Sequence, residues 1–308
     1  MIAKCVLMVR PINFGFNDQA AETNSFQQRV EMFSDVQIQE IAALEFDRYV
    51  EMLREANIEV MVFQDTAEPF TPDSIFPNNW ISTCPYSKKV YTYPMRNENR
   101  AAERRADVIK AVQAKSSYSL NQDLLSFEEN ELFLEGTGSL VLDNVNRVAY
   151  AAISPRTTTE VLEAWALKTG YDLVPFKAYG KEGELIYHTN VMMCVADEYV
   201  VICLDSIHDV EDRERIIEAL EGKSKKQIIE ISSAQTNESF AGNMLQLQSK
   251  DGCKCLIMSS CAERSLTAEQ RHLITDKFSN KIIAPPINMI ETIGGGSARC
   301  MIAEVFDV

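Results

Sequence analysis

The sequence predicts an α/β domain built by radial repetition of strand–strand–helix–strand units. Three observations point there. Short apolar strand-like runs come in pairs around tight turns, as in WISTC and KVYTY around Pro85. Each pair precedes a segment with helical apolar spacing and then a further apolar run, and the pattern recurs about every 50–60 residues. No Pro- or Ser-rich linker and no charge block divides the 308 residues, so residues 1–308 read as a single domain. A doubly wound parallel sheet competes, but paired strands with tight turns disfavour it.

Taken in order, KCVLMV (4–9) is a continuous apolar run, the mark of a strand buried on both faces. Residues 35–56 carry Val36, Ile38, Ile41, Leu44, Phe46, Tyr49, Val50 and Leu53 at helical spacing, followed by the strand IEVMVF (58–63). Residues 80–93 give two short strands, and 98–115 a charged amphipathic helix. FLEGTGSLVLD (133–143) and RVAYAAI (147–153) form a predicted hairpin turning near Asp143-Asn144. A helix follows Pro155 to about Lys168. VMMCVAD, YVVICLD, a helix at 210–221 and KQIIEIS repeat the pattern. A helix at 237–247, CKCLIMSS, a helix at 267–279 opened by Thr267, and KIIAPPI complete it.

Composition narrows the function. With 46% hydrophobic residues the chain can bury a large core, and a formal net charge of -15 repels phosphate backbones and anionic lipid. Nucleic-acid and membrane roles are therefore not expected. MIAKCVLMVR is too short for a signal-peptide core, and no run approaches the length needed to span a bilayer, so a cytoplasmic protein is expected. The eight cysteines include no C-x-x-C pair, and strand alternation accounts for Cys253 and Cys255 better than a metal does. No metal and no cofactor is expected.

Chemistry concentrates in a few places. Cys300 ends the run Gly294-Gly295-Gly296-Ser297-Ala298-Arg299-Cys300, where three glycines permit close backbone approach to a ligand. Beside Arg299 it reads as a thiolate nucleophile, or else as a buried structural cysteine after a loop. Of three histidines, His272 lies mid-helix and His208 among acids at a helix entrance. His188, in Tyr187-His188-Thr189-Asn190 at the mouth of a strand, is placed as a general acid/base, since Cys–His pairing recurs in acyl-type transfer. Glu135, in Leu134-Glu135-Gly136-Thr137-Gly138, is a third member that orients the histidine; the alternative is a hairpin whose glycines mark a bulge.

GGGSARC, YHTN, LEGTG and Pro72-Asp73-Ser74-Ile75-Phe76-Pro77-Asn78-Asn79-Trp80 occur in register along the chain. Together they resemble the amidinotransferase and arginine deiminase superfamily, the penteins, which include dimethylarginine dimethylaminohydrolase. The resemblance runs from MVRP (8–11) to the last strand. DSIFPNNW, LEGTGSLVLD, FAGNML and GGGSARCM are most similar to the bacterial citrulline utilisation hydrolases. It implies a five-bladed α/β propeller with an axial active site. It also implies Cys300 as nucleophile, His188 as acid/base and Glu135 as its partner. Asp73 would hold substrate nitrogens, Arg156 the α-carboxylate, and Asn78, Asn79, Asn190 and Asn243 would complete the substrate site.

Two positions depart from the guanidine-specific pattern: Asn79 and Asn190 stand where relatives carry carboxylates. A guanidinium offers only N–H donors and a charge, whereas a neutral ureido group also offers a carbonyl acceptor, which an amide can serve. The resemblance therefore implies a cofactor-free hydrolase of a small amino-acid substrate, citrulline first. Arginine-type deiminases, dimethylarginine-type hydrolases and amidinotransferases remain open as alternatives, as does a catalytically silent binding protein of the same fold. The sequence leaves the oligomeric state, a homo-oligomer included, undetermined.

Overall fold

The structure is a computed structural model describing residues 1–306. Among these residues the strands are β1 (Cys5–Arg10), β2 (Glu59–Gln64), β3 (Ile81–Cys84), β4 (Lys89–Thr92), β5 (Ser119–Asn121), β6 (Val141–Asp143), β7 (Val148–Ala152) and β8 (Asp172–Phe176). They continue as β9 (Met193–Val195), β10 (Tyr199–Ile202), β11 (Gln227–Glu230), β12 (Leu245–Gln248), β13 (Lys254–Ile257), β14 (Lys281–Ile283) and β15 (Ala303–Val305). They form five three-stranded sheets.

One pairing rule holds in every sheet. β4 pairs antiparallel with β3 and parallel with β5, and β7 does the same between β6 and β8. β10 lies likewise between β9 and β11, and β13 between β12 and β14. The fifth sheet joins distant parts of the chain: β1 pairs antiparallel with β15 and parallel with β2. A parallel neighbour needs a crossover. Helices supply it at Asp35–Glu55, Ala106–Ser116, Thr159–Thr169, Val210–Ile217, and Ser260–Ser265 with Ala268–His272. This is the radial arrangement that the repeated units predict, and its five sheets match the five-bladed propeller that the resemblance to the penteins implies.

Burial orders the strands from the axis outward. β1, β7 and β10 are almost wholly buried, as continuous apolar runs require, whereas the third strands β2, β5, β8, β11 and β14 are partly exposed. The first strands neighbour one another across sheets, β15 beside β3, β6 beside β9 and β9 beside β12, so they surround the axis. Helix Asp35–Glu55 opens with a capping box between Ser34 and Gln37 and buries Ile38, Ala42, Phe46, Tyr49, Val50 and Leu53. Its Tyr49 hydroxyl donates to the carbonyl of Ala298 at 3.1 Å, tying this helix to the cysteine loop.

Four predicted elements differ. Residues 98–115 are not one helix but Glu98–Ala101 and Ala106–Ser116. The chain turns between them because Arg100 and Glu103 point inward and pair, at 2.7 Å. Gly136–Ser139, predicted as strand, is a single helical turn ahead of β6. The helix predicted at 237–247 is Ser233–Ser239, stopped by Phe240 in the left-handed region with φ 52°, so that β12 starts at Leu245. The helix of 267–279 runs from Ala268 to His272 and widens into a π turn at Leu273–Lys277.

Candidate active site

The cysteine loop leaves helix Asn288–Gly294 through Gly295, whose φ of +59° favours glycine. A Cβ there would stand 2.7 Å from the Asn24 side chain and 2.8 Å from the Gln27 backbone nitrogen. Several groups fix the loop. Tyr187 Oη donates to the carbonyl of Gly295 at 2.5 Å, and Ser297 Oγ donates to Glu291 Oε1 at 2.5 Å. The Cys300 N–H closes a turn on the carbonyl of Ser297 at 2.9 Å. Cys300 is buried, with 4% of its surface exposed.

Glu135 comes from the turn before Gly136–Ser139, and His188 from the residue before a short turn at Thr189–Val191, not from the start of a strand. His188 Nε2 lies 2.8 Å from Glu135 Oε2. The carboxylate therefore fixes the tautomer with Nε2 protonated and leaves Nδ1 to exchange protons. Gly138 must lack a side chain: a Cβ would meet Asn79 Nδ2 at 2.4 Å and His188 Nδ1 at 2.8 Å. The glycines of LEGTG thus make room for His188 and Asn79, which is what the bulge alternative missed.

Arg156 Nη1 lies 3.4 Å from Glu135 Oε2, while its Nε donates to Thr23 Oγ1 at 2.8 Å and its Nη2 to the carbonyl of Ala20 at 2.8 Å. Its guanidinium sits 5.0 Å above the Tyr187 ring. Burial opposes ionisation of Glu135, but Arg156 and the hydrogen bond from His188 outweigh it and hold the carboxyl below its usual range. Asp73 is buried; its Oδ2 accepts from Asn17 Nδ2 at 2.7 Å and its Oδ1 has no partner. Burial raises the Asp73 pKa, with Arg100 and Asn17 partly offsetting it.

A small cavity of about 10 Å³ is lined by Asp73, Asn79, Arg100, Arg156, Tyr187, His188 and Cys300, with Asn24, Phe76 and Gly294 to Gly296 closing it. That is the room of about one water molecule. Asn78 is buried behind it, its Oδ1 accepting from Asn79 Nδ2 at 3.1 Å. Asn190 and Asn243 do not line this cavity: their Nδ2 atoms approach Cys300 Sγ from elsewhere, at 3.5 and 3.2 Å.

Sequence reasoning missed Arg100 and Glu103. Arg100 donates to Glu103 through Nε (2.7 Å) and Nη2 (3.1 Å), to Asn79 Oδ1 through Nη1 (2.9 Å) and to the Phe76 carbonyl (3.3 Å). Their i, i+3 spacing in a charged stretch reads equally as a solvated helix face. Asn17, which holds Asp73, carried no sequence pattern at all.

The pair has a pH consequence. Burial lowers the His188 pKa from 6.5 to about 4, the Glu135 contact only partly offsetting it. Between those values the unfolded chain binds a proton that the folded protein does not, so stability falls as pH falls through that window. Each pKa unit corresponds to about 1.4 kcal/mol, so His188 accounts for a loss of about 3 kcal/mol by pH 4. Denaturant midpoints from pH 7 to 4.5 should fall more steeply for the wild type than for His188→Asn. Parallel profiles would refute the assignment.

The comparisons with known proteins agree with this fold. The model of the family described as N,N dimethylarginine dimethylhydrolase, eukaryotic, matches residues 10–307. No individually curated protein is similar enough in sequence to match. Among solved structures, the N-terminal domain of ArgZ, an arginine dihydrolase from Cyanobacteria, is 17% identical over 98% of both chains, with a TM-score of 0.73. AgrE is 17% identical with a TM-score of 0.75, covering 98% of this chain but 39% of that one. The chain thus spans well under half of AgrE. A dimethylarginine dimethylaminohydrolase carrying an S-methyl-L-thiocitrulline adduct gives 13% identity and a TM-score of 0.65 over 98% of this chain and 100% of that one. With a family model spanning nearly its whole length and the five-sheet pentein ring to match, this chain belongs to the N,N dimethylarginine dimethylhydrolase family of the pentein superfamily, hydrolases of C–N bonds.

Proposed function

We propose that this enzyme cleaves the bond between the ureido carbon and the δ-nitrogen of a ureido amino acid, citrulline, giving ornithine, carbon dioxide and ammonia. The observation that carries this reading is the neutral Asn79 amide in the cavity wall: its oxygen is already engaged by Arg100, so what it can offer the cavity is N–H. Asp73 is the one carboxylate that lines the cavity, Glu103 and Glu135 being taken up by Arg100 and Arg156. A donor beside a single carboxylate suits the carbonyl and N–H groups of a neutral ureido group better than a guanidinium, which has donors only.

The steps follow from the residues. Arg156 takes the α-carboxylate, and the free Oδ1 of Asp73 accepts an N–H of the ureido group. Cys300 Sγ attacks the ureido carbon, the C–N bond to the δ-nitrogen breaks, and the thiol proton passes through His188 to the departing amine. The S-carbamoyl intermediate then takes up a water whose proton His188 accepts and returns to the sulfur. Carbamic acid leaves and breaks down to carbon dioxide and ammonia. Glu135 holds the imidazole orientation throughout.

A guanidino substrate is the second reading. The unpartnered Asp73 oxygen favours it, since a buried carboxylate can pair with a guanidinium, and the family description names a methylated arginine. The test is kcat/KM on citrulline, arginine, agmatine and dimethylarginine under the same conditions, with ornithine, citrulline and ammonia read separately. An uncompensated charge worth about 3 kcal/mol gives citrulline an advantage of roughly 10²-fold. Arginine or dimethylarginine ahead by tenfold would replace the ureido reading with the guanidino one.

A further inference from the structure

We propose that Asn190 and Asn243 form an amide cradle that stabilises the Cys300 sulfur as the thiolate formed when His188 takes its proton, and that they do not bind substrate. The inference rests on Cys300 being the nucleophile. Arg299, its neighbour in sequence, does not help the sulfur: Nη1 donates to the carbonyl of Ile302 at 2.7 Å and Nη2 lies 3.2 Å from Glu304 Oε2. His188, kept neutral by burial, lends no charge either. What approaches Sγ is N–H: Asn243 Nδ2 at 3.2 Å and Asn190 Nδ2 at 3.5 Å.

The hydrogen bonds settle the orientation of Asn243. Its Oδ1 accepts the Arg299 backbone N–H at 2.9 Å, and its Nδ2 donates to the carbonyl of Asn190 at 2.9 Å. One N–H is therefore spent on a carbonyl, and the other points at sulfur. Asn243 is fully buried, so that N–H has no water to turn to. A thiol is a weak acceptor and a thiolate a strong, charge-assisted one, so this amide is better satisfied by the ionised sulfur. Asn190 can serve both states, because its Oδ1 also lies 3.8 Å from Sγ, in reach of an S–H.

The backbone is built for this arrangement. A Cβ on Gly242 would stand 2.5 Å from the carbonyl oxygen of Val191. Glycine there lets the FAGNML turn close onto the turn that carries Asn190, which brings the two amides to one sulfur. Asn190 lines a separate cavity of about 50 Å³, shared with Met193, Arg299 and Glu304. Neither amide lines the cavity that holds Asp73, His188 and Cys300.

The test reads the thiol directly. Alkylation of Cys300 by iodoacetamide, followed on its peptide by mass spectrometry from pH 5 to 10, is compared in the wild type, Asn243→Asp and Asn190→Ala. Asn243→Asp keeps the acceptor for the Arg299 N–H and removes the donor. Asn190→Ala keeps the backbone carbonyl, and covers the case in which the first variant fails to fold. The alkylation midpoint should move up by about one pH unit in Asn243→Asp, a tenfold lower rate at neutral pH. It should move by a smaller amount in Asn190→Ala, with kcat falling and KM little changed in both. Alkylation profiles that superimpose on the wild type, with the loss confined to KM, would overturn the cradle and return both residues to substrate binding. A wrong choice between ureido and guanidino substrates leaves this readout untouched. A wrong nucleophile shows separately, as turnover in Cys300→Ala.

Discussion

Cys300→Ala should lower kcat by about 10⁴-fold or more, the scale on which removing a nucleophile acts, while the protein stays folded. The sulfur is small and buried, and its loss leaves the second N–H of Asn243 without a partner, at a cost of about 1–3 kcal/mol. The measurement pairs single-turnover kinetics with thermal melting. Other cysteines cannot substitute: Cys194, Cys203 and Cys255 are buried in or beside strands and do not line the cavity. Burial pushes the Cys194 thiol up to about 12, leaving it inert at neutral pH. Wild-type turnover in the alanine variant would end the covalent mechanism.

Arg100→Met should have the next largest effect, on stability and activity together. Arg100 and Glu103 are both buried and meet in a two-point contact. Removing one partner of such a pair leaves an uncompensated charge and costs about 3–5 kcal/mol. Burial opposes the charge on Arg100, but Glu103 and then Asp73 outweigh it and keep the guanidinium protonated. Replacing both residues with methionine removes the stranded carboxylate, so Arg100→Met/Glu103→Met should recover most of the lost stability. It should not recover activity, because Asn79 Oδ1 and the Phe76 carbonyl lose their donor and the cavity loses a cation. Urea midpoints and kcat/KM on the two variants separate the effects. A destabilisation of under about 1 kcal/mol in the single variant would show that the pair does not carry the charge compensation argued here.

The architecture was legible because burial writes itself into runs of residues. β1, β7 and β10 are apolar throughout, and the paired strands β3–β4 and β6–β7 announce themselves by their turns. Element boundaries were less legible wherever a buried polar group overrode a local pattern. Arg100 and Glu103 break the helix predicted over 98–115 by turning inward, a contact to distant residues that no helical periodicity contains. At the site, Cys300, His188, Glu135, Asp73, Asn79 and Arg156 could be named from motifs, and the structure gathers them around one cavity or directly behind it. Asn190 and Asn243 could be named but not aimed. Whether an amide faces substrate or sulfur depends on close backbone packing at Gly242, which the letters FAGNML do not encode. Asn17 sits in a loop and touches Asp73 across 56 residues of sequence, so nothing local marks it.

The sheet that joins β1 to β15 has a consequence in time. Cys5 pairs with Val305, so its contacts span nearly the whole described chain, the kind of long-range pairing that closes slowly because so much chain entropy is lost first. A growing polypeptide can complete the four other blades from contiguous sequence before this one receives β15. Cys300, the proposed nucleophile, lies just ahead of β15, and the Tyr49 contact to Ala298 also awaits that strand's arrival. Catalytic competence should therefore be the last property acquired. During refolding, activity should return after most of the secondary structure and in step with docking of β15, so that a partly folded ring carries no active nucleophile.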